Sequence, residues 1–193
     1  MFDPPTAPFS IETPRLLIRE WTPEDRPAFT ALATDPEMMR YMTDGRPWSE
    51  DEIDAYFARQ ADGIARFGFC MGALVERSSG LVIGLSGLQF LGTTGELEVG
   101  YWVAKHLWGR GYASEAASGI LDYGFGRLGR ERMLAITHAE NRASRRVMEK
   151  LGMTFLKATT GTELGHRFPE IEVVLYGIER AEWPTKKAPS ALA

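Results

Sequence analysis

Cysteine is almost missing from this chain: Cys70 is the single one in 193 residues. No disulfide can form within the chain, which fits a reducing compartment and makes the cytoplasm the expected location. A basic excess is missing too. The formal net charge is −4 and the sequence pI is about 5.5, so no global positive field recruits nucleic acid or an anionic membrane. No stretch approaches the ~20 apolar residues of a membrane span. Residues 1–9 have neither a basic start nor an apolar run and do not read as a signal peptide. The three histidines are far apart and no cluster has metal-ligand spacing, so no metal is expected.

What is present is enough for a core: 44% hydrophobic residues and 11% aromatic ones. Nothing between the ends reads as a linker, a repeat or a low-complexity tract. One domain over residues 10–183 is expected, with flexible tails at 1–9, which holds three prolines, and at 184–193.

Strand signals fall at Leu16–Ile18, Phe69–Glu76, Leu81–Leu88, Gly95–Val103, Arg132–Thr137, Thr154–Ala158 and Glu172–Ile178. Helix starts stand at Thr22-Pro23, Asp35-Pro36 and Ser49-Glu-Asp-Glu52, the last a capping box for a helix to about Ala65. Ala117, Ile120, Leu121, Gly124 and Leu128 share one face of a helix over 114–128. A shorter helix over 141–151 ends where Gly152 can cap it. The sum is an α/β (α+β) domain: a mixed sheet whose second half alternates strand and helix.

The sharpest local signal is Trp108-Gly109-Arg110-Gly111-Tyr112-Ala113, between a strand and a helix. The glycines permit positive φ and a close approach to the main chain. The helix that follows offers unpaired N–H groups and the positive end of its dipole. No Gly-Lys-Ser/Thr follows, and the G-x-G-x-x-G spacing is absent, so neither a P-loop nor a dinucleotide fingerprint is present. Alone, the segment reads equally as an anion cradle or as a tight turn.

It is part of the second of four motifs that occur in order: Glu98-Val-Gly-Tyr-Trp-Val103, Trp108 to Ala116, Asn141-Arg-Ala-Ser144 and Met148-Glu-Lys-Leu-Gly-Met153. Thr13-Pro-Arg-Leu-Leu-Ile-Arg-Glu20 precedes them and Glu179-Arg-Ala-Glu-Trp183 follows. The set resembles the GNAT superfamily of acyl-CoA N-acyltransferases. It is most similar to the branch containing the ribosomal-protein serine and alanine N-acetyltransferases. The resemblance implies a twisted, mostly antiparallel mixed sheet flanked by helices. It also implies N-acetylation of a primary amine, on a protein N-terminus or a small molecule, with acetyl-CoA as cosubstrate. A monomer or homodimer is expected.

In the resemblance, backbone amides from Arg110 through Gly111, Tyr112 and Ala113 to Ser114 hold the pyrophosphate, with Trp108 and Gly109 completing the loop. Trp108 stands where the family has Gln or Arg. The pantetheine arm lies beside Tyr101, Trp102 and Val103 like an added strand. Asn141 is similar to a cofactor-contacting Asn, and is equally a helix N-cap. Arg142, Arg145 and Arg146 read either as a solvated face or as partners for the adenosine-side phosphates, Arg146 being the one assigned to the cofactor.

Amine acetylation needs a base for the ammonium and a proton for the departing thiolate. Glu96 and Glu98, two apart on a strand, share a face. Glu98 matches the family pattern and is the expected base, alongside a plain salt-bridge reading; Tyr101 and His138 are weaker bases. Many family members use a tyrosine as acid where this chain has Met148, which cannot donate a useful proton. Ser144, one turn earlier, is the expected thiolate partner. The substitution at Met148 leaves a second reading, a non-catalytic acyl-CoA-binding or regulatory module. Cys70 reads as core. Trp102 and Trp48 are placed near the acetyl site and a substrate entrance. Residues 21–66 and 157–172 carry no legible pocket.

Overall fold

The structure is a computed structural model and describes residues 8–165 and 171–184. Strands β1 (Ser10–Glu12), β2 (Leu16–Arg19), β3 (Met71–Glu76), β4 (Val82–Phe90), β5 (Leu97–Val103), β6 (Arg132–His138), β7 (Thr154–Thr160) and β8 (Glu172–Glu179) form one sheet. Their order is β1-β2-β3-β4-β5-β6-β8-β7. Every neighbouring pair is antiparallel except β5 and β6. The helices are α1 (Arg26–Ala33), α2 (Pro36–Met39), α3 (Glu50–Phe67), α4 (Tyr112–Gly126) and α5 (Arg142–Lys150). This is the mixed, mostly antiparallel sheet with flanking helices that the family resemblance implies. Among the described residues no helix is long and apolar enough to cross a membrane.

Local chemistry explains the boundaries. Ser49 Oγ accepts from the Glu52 N–H at 3.3 Å, and Glu52 returns a bond from the Ser49 N–H at 2.8 Å. This capping box starts α3, and Gly68 at φ 71° ends it. Thr22-Pro23 opens a 3-10 turn first, with α1 following only at Arg26. Strand β1 was not expected: three residues are too few to show an alternation. The tails expected at 1–9 and 184–193 fall outside the described residues except for Pro8, Phe9 and Pro184. Phe9 does not behave as tail. It is 2% exposed, its N–H donates to Glu20 Oε1 at 3.0 Å, and its ring meets Tyr123 edge-on.

Two packed clusters matter for function. One joins α4 and α5 to the sheet through Ala116, Ile120, Leu121 and Met148 against Leu97, Val99 and Met133. The other gathers Phe29, Trp48, Ile53 and Tyr56 over Met71 and Leu85. Between them the sheet is open. Strands β5 and β6 register only at Glu98 and Leu134, so beyond that pair the two strands part. Residues 100–103 of β5 and 136–138 of β6 do not pair with each other.

Candidate active site

The glycine loop holds the geometry an anion needs. Gly109 and Gly111 sit at φ 76° and 81°, conformations that other residues seldom adopt. Gly111 is the N-cap of α4, and no side chain caps that helix start. The first-turn amides of Tyr112, Ala113 and Ser114 therefore lie at the positive end of the 15-residue α4. Gly109, Arg110 and Gly111 are exposed, and a Cβ on Gly109 would meet no atom within 4 Å. Trp108, 53% exposed, donates its indole N–H to the Val103 carbonyl at 2.6 Å. That contact ties the loop to the end of β5.

A brace behind the loop was not legible in the sequence. Arg15, at the entry to β2, donates from Nη1 to the Arg110 carbonyl at 3.0 Å and from Nε to Glu115 Oε2 at 2.6 Å. Its guanidinium lies 4.4 Å from the Tyr112 ring centroid. Thr13 Oγ1 and the Arg15 N–H also donate to Glu115 Oε1, at 2.6 and 2.8 Å. Burial pushes the Glu115 carboxyl up, and the bonds from Thr13 and Arg15 overcome this and hold it below its ordinary value. The negative charge then stands in the first turn of α4, favourable to the helix. The Tyr112 hydroxyl donates to Glu76, locking the same turn from β3. On the expectation that the loop holds the pyrophosphate of acetyl-CoA, Arg15→Ala should raise the KM for acetyl-CoA about tenfold, worth ~1.4 kcal/mol, with kcat within about twofold. Initial-rate kinetics check this, and Arg15→Lys should recover only part of the loss, since one ammonium cannot span both partners.

A cavity of about 150 Å³ opens at the β5–β6 gap, bordered by Glu98, Tyr101, Trp102, His138, Ser144 and Met148. Successive strand residues face opposite ways. Glu98, Gly100 and Trp102 share a face with their β4 partners Gln89, Gly87 and Leu85, on the side of the Phe29–Trp48–Tyr56 cluster. Tyr101 faces the other way, to α5, where its hydroxyl donates to the Ser144 carbonyl at 3.1 Å and lies 3.0 Å from Ser144 Oγ. The cavity therefore reaches through the sheet, with the carboxylate on one face and the two hydroxyls on the other.

Glu98 is 6% exposed and accepts from Gln89 Nε2 at 3.2 Å. Glu96 lies outside β5 and does not border the cavity. Burial pushes the Tyr101 hydroxyl up to about 12, outweighing the Ser144 bond that lowers it. Tyr101 therefore holds its proton more tightly than a free tyrosine does. His138 borders the cavity and takes the Glu140 N–H on Nδ1 at 3.2 Å. Met148 is 1% exposed. Cys70 is 3% exposed, and burial, then Glu20, push its thiol up to about 12, so it is no nucleophile at neutral pH.

Asn141 Oδ1 accepts from the Ser144 N–H at 3.1 Å, capping α5 and fixing the serine's turn. Arg145 donates to Tyr176 Oη at 3.2 Å and to the Ala139 carbonyl at 3.4 Å, so it serves the fold, while Arg142 and Arg146 are exposed. Val103 does not border the cavity. Sequence reasoning missed Tyr41, Met42, Thr43, Tyr56 and Gln89, all of which do. The signal was the density of aromatics between residues 21 and 57, six in that stretch. Among the described residues no group of three His, Cys, Asp or Glu is placed to hold a metal ion.

Residues 15–154 match the family described as "Acetyltransferase (GNAT) domain". A curated relative, the FsC-acetyl coenzyme A-N(2)-transacetylase of Aspergillus fumigatus, is 31% identical over 94% of this chain and 80% of its own. An acetyltransferase of the GNAT family from Bacillus anthracis superposes with a TM-score of 0.74 at 25% identity, over 90% of this chain and 100% of that one. The RimJ protein of Mycobacterium smegmatis, solved in complex with CoA-disulfide, superposes with a TM-score of 0.76 at 18% identity, over 92% of this chain and 90% of that one. The match covers the glycine loop, the β5–β6 gap and the capped start of α5 together, and on it the chain belongs to the GNAT acetyltransferase family.

Proposed function

We propose that this chain moves an acetyl group from acetyl-CoA directly to a primary amine, of a small molecule or a protein N-terminus. The observation that carries the reading is a cavity bordered by Glu98 from one face of the sheet and by the Ser144–Tyr101 pair from the other. The α4 start offers amides and dipole to a pyrophosphate. The side of β5 that faces away from β4 and does not pair with β6 over residues 100–103 offers main-chain groups to an extended pantetheine arm. Asn141 and Arg146 stand at α5, where the rest of the cofactor would pass.

The thioester supplies an activated acyl carbon, at which the new C–N bond forms as the C–S bond breaks. Glu98 takes one proton from the incoming ammonium, directly or through a water, and passes it to solvent. Ser144 hands its hydroxyl proton to the leaving sulfur and takes the second ammonium proton from the nitrogen, directly or through a water, as the amide forms, which restores the serine. In sum one proton of the ammonium reaches water and one ends on the thiol. With Cys70 buried and its thiol protonated, direct transfer is the economical route.

Thiol release from acetyl-CoA over a panel of amines tests this reading. Release that requires both substrates and matches N-acetyl product supports it. Tight CoA binding with no release on any amine favours the second reading, an acyl-CoA-binding module, for which Met148 at the usual tyrosine position is the motivating observation. Ser144→Ala should lower kcat about tenfold or more while leaving CoA affinity within about twofold. The Tyr101 hydroxyl keeps its bond to the residue-144 carbonyl, so the wall stays in place. Equal losses in kcat and affinity would make Ser144 a binding residue instead.

A further inference from the structure

We infer that Met71 sets how large an acceptor the cavity admits, the Sδ–Cε end of its side chain forming the floor between Glu98 and Trp102. The inference rests on the amine-acetylation reading, in which this cavity receives the acceptor, and deepens it. Three residues stand in a row across three strands. Met71 of β3 pairs with Gly87 of β4, and Gly87 pairs with Gly100 of β5. Paired residues share a face of the sheet, so all three lie on the face that carries Glu98, Trp102 and Leu85. Two of the three have no side chain, and Met71 fills the trough they leave. A Cβ placed on Gly100 would stand 2.6 Å from Met71 Cε and 3.2 Å from Met71 Sδ. The methionine therefore reaches across β4 and ends over Gly100.

Each glycine is required for a different reason. A Cβ on Gly87 would stand 1.9 Å from the Cys70 carbonyl oxygen, a backbone clash that no rotamer relieves, so β4 raises no side chain in the path of Met71. At Gly100 the obstacle is the methionine itself. Met71 is 6% exposed and borders the cavity together with Leu85, Glu98, Gly100 and Trp102. Gly100 is two residues from Glu98 on the same face, about 6.6 Å along the strand. An acceptor with its ammonium at Glu98 has the Met71 tip within reach of its next few atoms.

The base of this side chain is held and its end is adaptable. The Met71 N–H donates to Gln60 Oε1 at 2.9 Å. The Met71 carbonyl accepts from Tyr56 Oη at 2.8 Å and from Trp21 Nε1 at 2.6 Å. Two side chains of α3 and one from the segment after β2 thus fix the Met71 backbone. Beyond it methionine is unbranched, turns about three bonds and fits its tip to what lies against it. Its neighbours in the same cluster, Leu85, Trp48 and Tyr56, are branched or planar and yield less. Shortening or displacing this one tip therefore changes the space over Gly100 in a predictable sense.

Initial rates over two homologous pairs test this: propylamine against hexylamine, and glycyl-dialanine against leucyl-dialanine. The readout is the kcat/KM of the larger member over that of the smaller, in whichever pair the wild type turns over. The ratio cancels any effect common to both members, such as one on acetyl-CoA binding or on stability. Met71→Ala should raise it at least about tenfold, the scale on which a pocket distinguishes a methylene. Met71→Leu, of similar volume but ending one atom sooner, should raise it about threefold. Gly100→Ala pushes the tip into the cavity and should lower the ratio about tenfold. Gly100→Ala in the Met71→Leu background should return it to within about threefold of wild type, a coupling that separate damage at two sites would not produce. A melting curve on each variant identifies any that has unfolded, and Met71→Leu, the mildest change, carries the test if Met71→Ala does not fold. An unchanged ratio in folded Met71→Leu and Gly100→Ala overturns the proposal and leaves acetyl transfer standing. So does wild-type release on other amines with neither pair turned over. No thiol release by the wild type on any amine, with CoA bound, overturns the reading beneath and the proposal with it.

Discussion

Gly111→Asp will weaken acetyl-CoA binding by at least about 100-fold while the protein stays folded. The folding half of this follows from the backbone. Gly111 is at φ 81°, and Asp is one of the few residues with side chains that enter this region. A carboxylate at the start of α4 also complements the helix dipole. The nearest atom to a Cβ there is Arg15 Nη2 at 3.5 Å, an ordinary contact with a cation. The binding half follows from charge. The new carboxylate occupies the place where the pyrophosphate should sit and repels it; two unit charges about 4 Å apart interact by ~4 kcal/mol at an effective dielectric near 20, and less when solvent reaches them. A loss of ~2.7 kcal/mol is a 100-fold rise in Kd. Calorimetric titration with acetyl-CoA, beside a melting curve, checks both halves. Unchanged affinity in a folded variant would remove the loop from the cofactor site.

Glu98→Gln will lower kcat/KM by about 100-fold or more, within the range by which general bases contribute, and leave acetyl-CoA affinity unchanged. The substitution keeps shape and a hydrogen-bond acceptor for Gln89, so packing in β5 is preserved. The sign of the pH effect is fixed by the role. A base works in its deprotonated form, so the wild-type rate falls as pH falls and Glu98 takes up its proton. Glutamine has no such transition, so the acidic limb of the pH–rate profile should vanish. A limb that persists in the variant would assign the base to another group, His138 being a candidate that borders the cavity.

How much of this was readable from sequence depends on the reach of each signal. Positive φ at Gly109 and Gly111, and the start of a helix just after, are local properties, so the loop was legible. Glu98, Tyr101 and Ser144 were legible as motif positions, yet their arrangement was not. That Glu98 and Tyr101 serve opposite faces of one cavity depends on where β5 and β6 separate, a fact of pairing between distant segments. The Arg15 brace was invisible for the same reason, since Arg15 and Glu115 are 100 residues apart. Tyr41, Thr43 and Tyr56 carry no signal of their own in the sequence, and only the fold brings them to the border of the same cavity as Trp102. Asn141 shows the opposite case: its cap on the Ser144 N–H is visible in both sequence and structure, and it positions the serine whether or not it also meets the cofactor.

The central claim is direct acetyl transfer between two substrates that meet at the β5–β6 gap. Its most direct test is the initial rate of CoA release over a matrix of acetyl-CoA and amine concentrations, with an amine that the panel shows to be turned over. Both substrates must be bound together, so the double-reciprocal lines should intersect, and no acetyl group should accumulate on the protein without amine. Parallel lines with an acetylated protein, the signature of a covalent intermediate, would contradict the account, as would CoA binding without release on any amine.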